Sequence, residues 1–313
     1  MIQFNDLVTI IIRTSKQNRL LLLKNALSSI IANDYRPIEI IIVVQSERQD
    51  FIQSIQNICK EIISGQIQIN LVVNSTSEDE RSKNLNLGIK IATGKYLGFL
   101  DDDDIIYPHH LQTIVKALKT SHEDIAWAYT DVLVPLCTVE DGHNIKVLSS
   151  EYPYKKEQFS IDNFFQNNFI PLHSYLLDRS KIDSILLQFD ETLKVTEDYA
   201  FLLKIATYHK PLYISEITCE YRFWADGSNT NYHVNILTGK DYKSKLRIWN
   251  EAATKVEILK LQLNPSYKSA SLVSLETRQE FISRYPNLYR LKYKFPQIWN
   301  FIVTLAVKLK ILK

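Results

Sequence analysis

Glycine and proline are scarce. Seven glycines and nine prolines in 313 residues exclude collagen-like and low-complexity architectures. Only three cysteines occur, Cys59, Cys137 and Cys219, too far apart for the paired spacings of zinc or redox sites. Asp6 interrupts the N-terminal apolar stretch, and Leu7 to Ile12 is too short for the apolar core of a secretory leader. An odd cysteine count without a leader reads as reduced thiols in a cytoplasmic protein. No uncharged apolar run reaches the roughly 18 residues of a spanning helix. A large excess of one charge is missing too: the formal net charge is +2, which gives no argument for nucleic acid as a partner. Neither a P-loop, a dinucleotide glycine fingerprint nor a nucleophile elbow is present. What remains, 45% hydrophobic and 23% charged residues, is an ordinary globular composition. The length suits one large α/β domain with an extension, or two domains.

The apolar runs are short and regularly spaced. Leu7 to Ile12, Ile38 to Val44, Ile67 to Val73 and Tyr96 to Leu100 read as strands. The first two are almost unalternating, as in parallel sheets covered on both faces. Between them, Arg19 to Ile31, Phe51 to Ile63 and Asn84 to Ala92 carry apolar residues at helical spacing. This alternation predicts a doubly wound α/β sheet over the first hundred or so residues. Gly94 is expected to close the third helix in a left-handed conformation. Farther on, His110 to Leu118 predicts a helix with His109 and His110 at the surface of its start. Ile125 to Val134 and Pro171 to Asp178 predict strands, with a hairpin turn at Asp141-Gly142. Ser160 to Phe165 and Glu197 to Tyr208 read as helices, Leu212 to Phe223 as a strand. From about Tyr242 the pattern is helical and rich in Lys and Arg.

Two acidic clusters stand out. Asp101, Asp102, Asp103 and Asp104 follow directly on the strand Tyr96 to Leu100, at the edge where open α/β sheets bind ligands. Four adjacent anions repel unless a cation or solvent compensates them. Hard divalent ions take oxygen ligands, and Mg²⁺ is commonly held by one or two carboxylates plus substrate phosphates. A solvated acidic turn is the plainer reading of the run alone. An EF-hand is disfavoured, because Ile105-Ile106-Tyr107-Pro108 lacks the alternating ligands and central glycine. The second cluster, Thr196-Glu197-Asp198, opens a helix. Thr196 suits an N-cap and acids suit a first turn, or one of the acids faces a cleft and takes a proton from a hydroxyl.

Together these segments resemble the family-2 glycosyltransferases of the GT-A fold. Leu7 to Thr14, running on to Arg19, is similar to the family's first strand and nucleotide loop, and Glu39 to Val44 to its second strand. Arg81 to Gly88 with Ala92 to Tyr96 is similar to the run into the acidic motif. Phe99 to Asp104, with Pro108 and Leu111, resembles the D-x-D motif, and Thr196-Glu197-Asp198 the motif of the catalytic base. The resemblance spans approximately residues 7–225. It implies a metal-dependent, inverting transfer of a sugar from a nucleotide-diphosphate sugar, UDP by default, to a glycan or lipid-linked hydroxyl, as in bacterial surface polysaccharide synthesis. Asp103 and Asp101 would hold Mn²⁺ or Mg²⁺, with Asp101 also near the ribose. Arg13, Thr14, Gln45, Arg81, Asp101 and Asp102 would line the donor pocket. Asp198 would be the general base, with Glu197 beside it. His173 and Asp104 are lower-ranked acceptor contacts, and His233 a lower-ranked metal ligand. One departure is Gln45-Ser46 where many relatives carry an aspartate toward uracil. An amide also matches a pyrimidine edge, and Asn74 to Asp79 offers a second source of that contact.

The expected organisation is a transferase domain over 1–237, with a nucleotide-binding half (1–105) and an acceptor half (106–237), then a helical extension over 238–313. Within the extension, Tyr285, Tyr289, Tyr293 and Phe295 interleave with Arg290, Lys292 and Lys294. Ile298, Phe301, Ile302, Leu305 and Leu309 then recur at helical spacing. Such a stripe fits a peripheral contact with the inner face of the membrane, packing on its own domain, or a homodimer. Two other functional readings stay open: a nucleotidyltransferase, and a non-catalytic sugar-nucleotide or carbohydrate-binding protein of glycosyltransferase descent.

Overall fold

The computed structural model describes residues 6–62, 67–152, 159–226 and 242–267. The chain divides into two units, Met1–Gly227 and Ser228–Lys313. In the first, β1 (Val8–Thr14), β2 (Ile38–Gln45), β3 (Ile67–Asn74) and β4 (Tyr96–Asp101) pair in parallel in the order β3-β2-β1-β4. Helices α1 (Leu20–Ile31), α2 (Gln49–Ile62) and α3 (Arg81–Ile91) connect them. Beyond β4 the sheet continues through β8 (Tyr175–Asp178), β6 (Trp127–Glu140), β9 (Leu212–Glu220) and β5 (Ile105–Ile106). Of these joins, β4–β8, β8–β6 and β9–β5 are antiparallel and β6–β9 is parallel. A hairpin arm, β7 (Asn144–Glu151), and the short β10 (Phe223–Trp224) pair with β6. The turn of the arm puts Asp141 (φ 53°) and Gly142 (φ 73°) in the left-handed region, where Asp and Gly are favoured.

Strand periodicity sorts the core into two layers. Val8, Ile10 and Ile12 of β1 and Ile38, Ile40, Ile42 and Val44 of β2 face one layer. There they meet Leu23, Ala26, Leu27 and Ile30 of α1, and Leu111, Ile114, Val115 and Leu118 of α4 (His110–Thr120). The intervening residues face the other layer. Gly88 of α3 lies against Ile11 there, and a Cβ on it would meet the Ile11 side chain at 2.6 Å. Phe99 packs edge-on against Phe189 and against Phe201 of α6 (Glu197–Tyr208), whose rings stack at 4.0 Å. Aromatic pairs of this kind contribute about 0.5–1.5 kcal/mol beyond the area they bury.

Several local expectations change. Gly94 is not left-handed: the helix ends at Ala92 in extended backbone (φ −58°, ψ 130°). Close approach is what requires glycine here, since a Cβ would lie 2.6 Å from Thr9 Oγ1 and 2.7 Å from the Leu7 carbonyl. The segment is fixed by the buried Glu39, which accepts from Thr9 Oγ1 (2.5 Å), Thr93 N (2.9 Å) and Thr93 Oγ1 (2.9 Å). Gly94→Ala is therefore expected to lower stability by about 1–3 kcal/mol, the usual range for overpacking, as read by urea unfolding; an unchanged midpoint contradicts this account. The strand expected from Pro171 begins only at Tyr175, because the Pro171 carbonyl accepts Ser174 N (3.0 Å) and closes a turn. His110 is buried rather than at the surface, its Nδ1 2.6 Å from Thr218 Oγ1. Burial pushes its imidazole down to about 3. In the second unit, α7 (Tyr242–Leu263) is the described helix. The stripe from 284 onward and His233 lie outside the described residues. Among the described residues no helix is long and apolar enough to cross a membrane.

Candidate active site

The strand ends place the site. Register pairs Arg13 of β1 with Asp101 of β4, and Gln45 of β2 with Asn74 of β3. All four strands are parallel, so these residues share the carboxyl edge of the sheet.

Arg13 is the centre of the arrangement. Its Nε donates to Asp101 Oδ1 at 3.0 Å and its Nη1 to Glu197 Oε1 at 2.6 Å. One guanidinium thus ties the aspartate run to the start of α6, and the two acidic motifs face each other. Burial opposes the charge on Arg13, but the Asp101 and Glu197 carboxylates outweigh it and raise its pKa. For Asp101, burial opposes ionisation and Arg13 overcomes that, leaving its carboxyl below the usual range.

Asp102 and Asp103 share a second cation. Arg19 reaches Asp102 Oδ1 (3.0 Å) with Nη1 and Asp103 with Nη2, while Thr14 Oγ1 donates to Asp102 Oδ2 at 2.6 Å. Burial raises both acids despite Arg19, Asp103 to about 7 with the Asp102 and Asp101 charges adding to the effect. One guanidinium cannot neutralise two buried carboxylates beside further anions. Arg19 was not among the expected site residues; as one cation at the start of a helix, it gave no sequence signal that it folds back over Asp102 and Asp103.

Asp104 and His173 depart from expectation. Both are about 1–2% exposed, so neither presents an atom to an acceptor. His173 Nδ1 lies 3.3 Å from Asp104 Oδ2, and Asp104 Oδ1 accepts the Arg222 backbone N–H at 2.7 Å. Burial raises Asp104 well above its usual range, helped by Asp103 and Asp101, and pushes His173 down to about 4. The pair is internal. It anchors the segment after β9 beneath the acidic run, a role that Arg222 shares and that sequence reasoning missed.

Gln45 is likewise occupied. Its Nε2 donates to the Glu78 carbonyl (2.5 Å), and its Oε1 accepts Glu80 N (3.1 Å) and Asn84 Nδ2 (2.7 Å). The amide oxygen accepts two donors and the amide nitrogen gives one of its two N–H groups to the Glu78 carbonyl, so Gln45 holds the loop before α3. Arg81 pairs with Asp79 through two bonds of 3.1 and 2.6 Å. Asp79 also feels the charge of Arg13, so this loop lies on the Arg13 side of the sheet edge.

At the start of α6, Thr196 has the left-handed backbone φ 59°, ψ 16° and makes no capping bond. Its hydroxyl donates to the Val195 carbonyl at 2.6 Å instead. Threonine is rarely found in that region, and such backbone strain clusters at functional sites. Asp198, half-buried, has the Asn168 amide at 3.5 Å. Burial and then the Glu197 charge raise its carboxyl to about 6. Two carboxylates with different environments thus stand side by side, one ion-paired and one free to exchange a proton.

Residues 10–176 match the family described as glycosyl transferase family 2, more than half of the chain. The chain belongs to glycosyl transferase family 2. It is a glycosyltransferase on a mostly parallel α/β sheet flanked by helices. An uncharacterized glycosyltransferase of Rickettsia prowazekii (strain Madrid E), RP339, is 26% identical over 266 residues, 83% of this chain and 76% of that protein. The amylovoran biosynthesis glycosyltransferase AmsB of Erwinia amylovora is 24% identical over 279 residues, covering 80% of this chain and 87% of that one. The crystal structure of S. aureus TarS 1–349 in complex with UDP-GlcNAc aligns with a TM-score of 0.56 at 16% identity, over 93% of this chain and 78% of that one. This last likeness speaks for the fold.

Proposed function

We propose that this family-2 glycosyltransferase moves a sugar from a nucleotide-diphosphate donor, UDP-linked by preference, to a hydroxyl of a glycan or lipid-linked acceptor, with inversion at the anomeric carbon. The bridge from Arg13 to both Asp101 and Glu197 carries this reading. It brings Asp101 and Glu197 onto one guanidinium, which supports donor-side and acceptor-side acids acting together, as single displacement requires. The relationship to a polysaccharide biosynthesis enzyme supports surface polysaccharide as the product class, and the TarS complex supports a UDP donor. The transfer chemistry belongs to residues 1–237, with 238–313 a helical extension.

On the donor side, Asp101 is held ionised by Arg13 and placed for the ribose or the diphosphate. Asp103 is raised to about 7 by burial and its acidic neighbours, so its anion is under-compensated by Arg19 alone. Oxygen donors of this kind fit Mn²⁺ or Mg²⁺, with Asp103 and Asp101 as the holding residues. Among the described residues no three acidic, histidine or cysteine side chains group as a ready metal site. The fit is therefore to a cation completed by the donor's phosphates. Such a cation, when bound, supplies charge neutralisation to the leaving diphosphate. With such a cation held by Asp103, Arg19 would give up its pairing there, and its guanidinium would be available to a phosphate oxygen. With Gln45 committed to its loop, base contact falls to the loop itself, residues 75–80.

On the acceptor side, Asp198 takes the proton as the hydroxyl attacks. Glu197, fixed by Arg13, orients the start of α6.

The reading is tested by calorimetric titration of Mn²⁺ into protein with and without UDP. The parent chain is expected to bind Mn²⁺ tightly only when UDP is present, and Asp103→Ala to lose at least tenfold in that affinity, about 1.4 kcal/mol. Equal Mn²⁺–UDP affinity in Asp103→Ala and the parent removes Asp103 from the donor site.

A further inference from the structure

Arg19 ends the short turn Gln17–Arg19 that leads from β1 into α1. The turn leaves the carboxyl edge of a parallel strand, where open α/β sheets receive their ligands. The Arg19 side chain is 20% exposed and holds two members of the acidic run, with Nη1 at 3.0 Å from Asp102 Oδ1 and Nη2 against Asp103. Its Nε differs: it is buried and has no hydrogen-bond partner. Buried donors are nearly always paired, and one left unmet on a charged group is destabilising. A spare N–H on a cation at this edge suits an anionic oxygen that the chain itself does not supply.

Among the described residues Arg19 is the only cation within salt-bridge distance of Asp102 or Asp103. A divalent ion taken up by Asp103 would set a second positive charge beside a guanidinium that has just lost a carboxylate. Stranding a part-buried charge in this way is costly. A diphosphate arriving with the ion removes that cost, because the planar fork of arginine matches phosphate oxygens as well as carboxylates. Nε then has an acceptor too.

We propose that Arg19 is a diphosphate-binding residue of the donor site, held in reserve by Asp102 and Asp103, and that its exchange from carboxylate to phosphate makes cation binding conditional on the donor. The proposal rests on Asp103 being a cation-holding residue. It adds that one side chain couples the two ligands, so the factor by which UDP tightens Mn²⁺ equals the factor by which Mn²⁺ tightens UDP.

Calorimetric titration of Mn²⁺ with and without saturating UDP, in the full parent chain and in Arg19→Met, tests this. Without UDP, Arg19→Met is expected to bind Mn²⁺ more tightly than the parent, since the competing charge is gone. The gain in Mn²⁺ affinity that UDP brings is expected to shrink by about tenfold, within the usual size of such couplings. A mere counter-ion would raise Mn²⁺ affinity equally in both titrations and leave the gain unchanged. An unchanged gain, or weaker Mn²⁺ binding without UDP, overturns the proposal. Where Arg19→Met does not fold, Arg19→Lys decides: it keeps the charge but replaces the fork by one ammonium, so its gain should fall about threefold below the parent's, and an equal gain overturns the proposal. A parent chain whose Mn²⁺ affinity is the same with and without UDP would instead overturn the donor reading itself, and the proposal with it.

Discussion

Asp198→Asn is expected to slow sugar transfer by about 10²–10⁴-fold, the usual contribution of a positioned general base, while donor affinity stays within about threefold of the parent. The amide matches the carboxylate in shape but cannot take the acceptor proton. Loss of fold does not explain such a result, because among the described residues the side chain accepts only the Asn168 amide at 3.5 Å and the Tyr199 backbone N–H, which an amide oxygen can still accept. Removing a charge beside Glu197 relieves repulsion and makes the variant no less stable. Under the proposed roles donor affinity is spared, because the acids assigned to the donor sit at the end of β4 and in the turn after it, held by Arg13 and Arg19. The pH profile supplies an independent check. Burial and Glu197 raise the Asp198 carboxyl to about 6, and the base works only when ionised. Parent kcat/KM should therefore rise with pH through about 6 and level off above it. Steady-state transfer and donor titration measure both quantities; transfer by Asp198→Asn within threefold of the parent rejects the role.

The reach of the sequence differs sharply from residue to residue. Asp101 to Asp104 were legible as a group because a strand must deliver its last residues to one edge of the sheet, and four anions there demand an explanation. Thr196 to Asp198 were legible as a helix start for the same kind of local reason. What the run of four hid was its division of labour. Arg13 claims Asp101, Arg19 claims Asp102 and Asp103, and Asp104 turns inward to His173 and the Arg222 amide. That sorting depends on which way each side chain leaves a turn, and on partners 69 or more positions away, as with His173 from Asp104. Gln45 shows the limit most clearly. Its position at the end of β2 was evident, whereas its commitment to the 78–84 segment needed the path of a loop that no periodicity encodes. Thr196 looked like a capping residue from its type, and only the backbone shows that it sits at φ 59° without a capping bond.

Arg13→Met is expected to be the most damaging single change for stability, about 3–5 kcal/mol, because it leaves a buried acid without its cation. The penalty comes chiefly from Glu197, whose side chain is 4% exposed and loses a 2.6 Å partner. Asp101 contributes less, since its side chain is 28% exposed and water can replace part of what Arg13 supplied. A protonated Asp101 carboxyl needs no cation, so the Asp101 share of the cost of Arg13→Met should be largest near pH 8 and shrink toward pH 4. Its carboxyl lies below the usual range in the fold, so the stability it lends is present above about pH 4 and lost as pH falls through its lowered value. Urea unfolding at both ends of that range measures the difference. The double variant Arg13→Met/Glu197→Gln should regain most of the lost stability, since the neutral amide removes the unpaired charge. It should not regain transfer, because the polar tie between Glu197 at the start of α6 and Asp101 at the end of β4 is then gone, and Asp198 is no longer registered against the donor acids. A double variant that regained activity along with stability would show Arg13 to be a counter-ion and nothing more. Stability without activity would show that one guanidinium on the first strand aligns the two halves of the reaction.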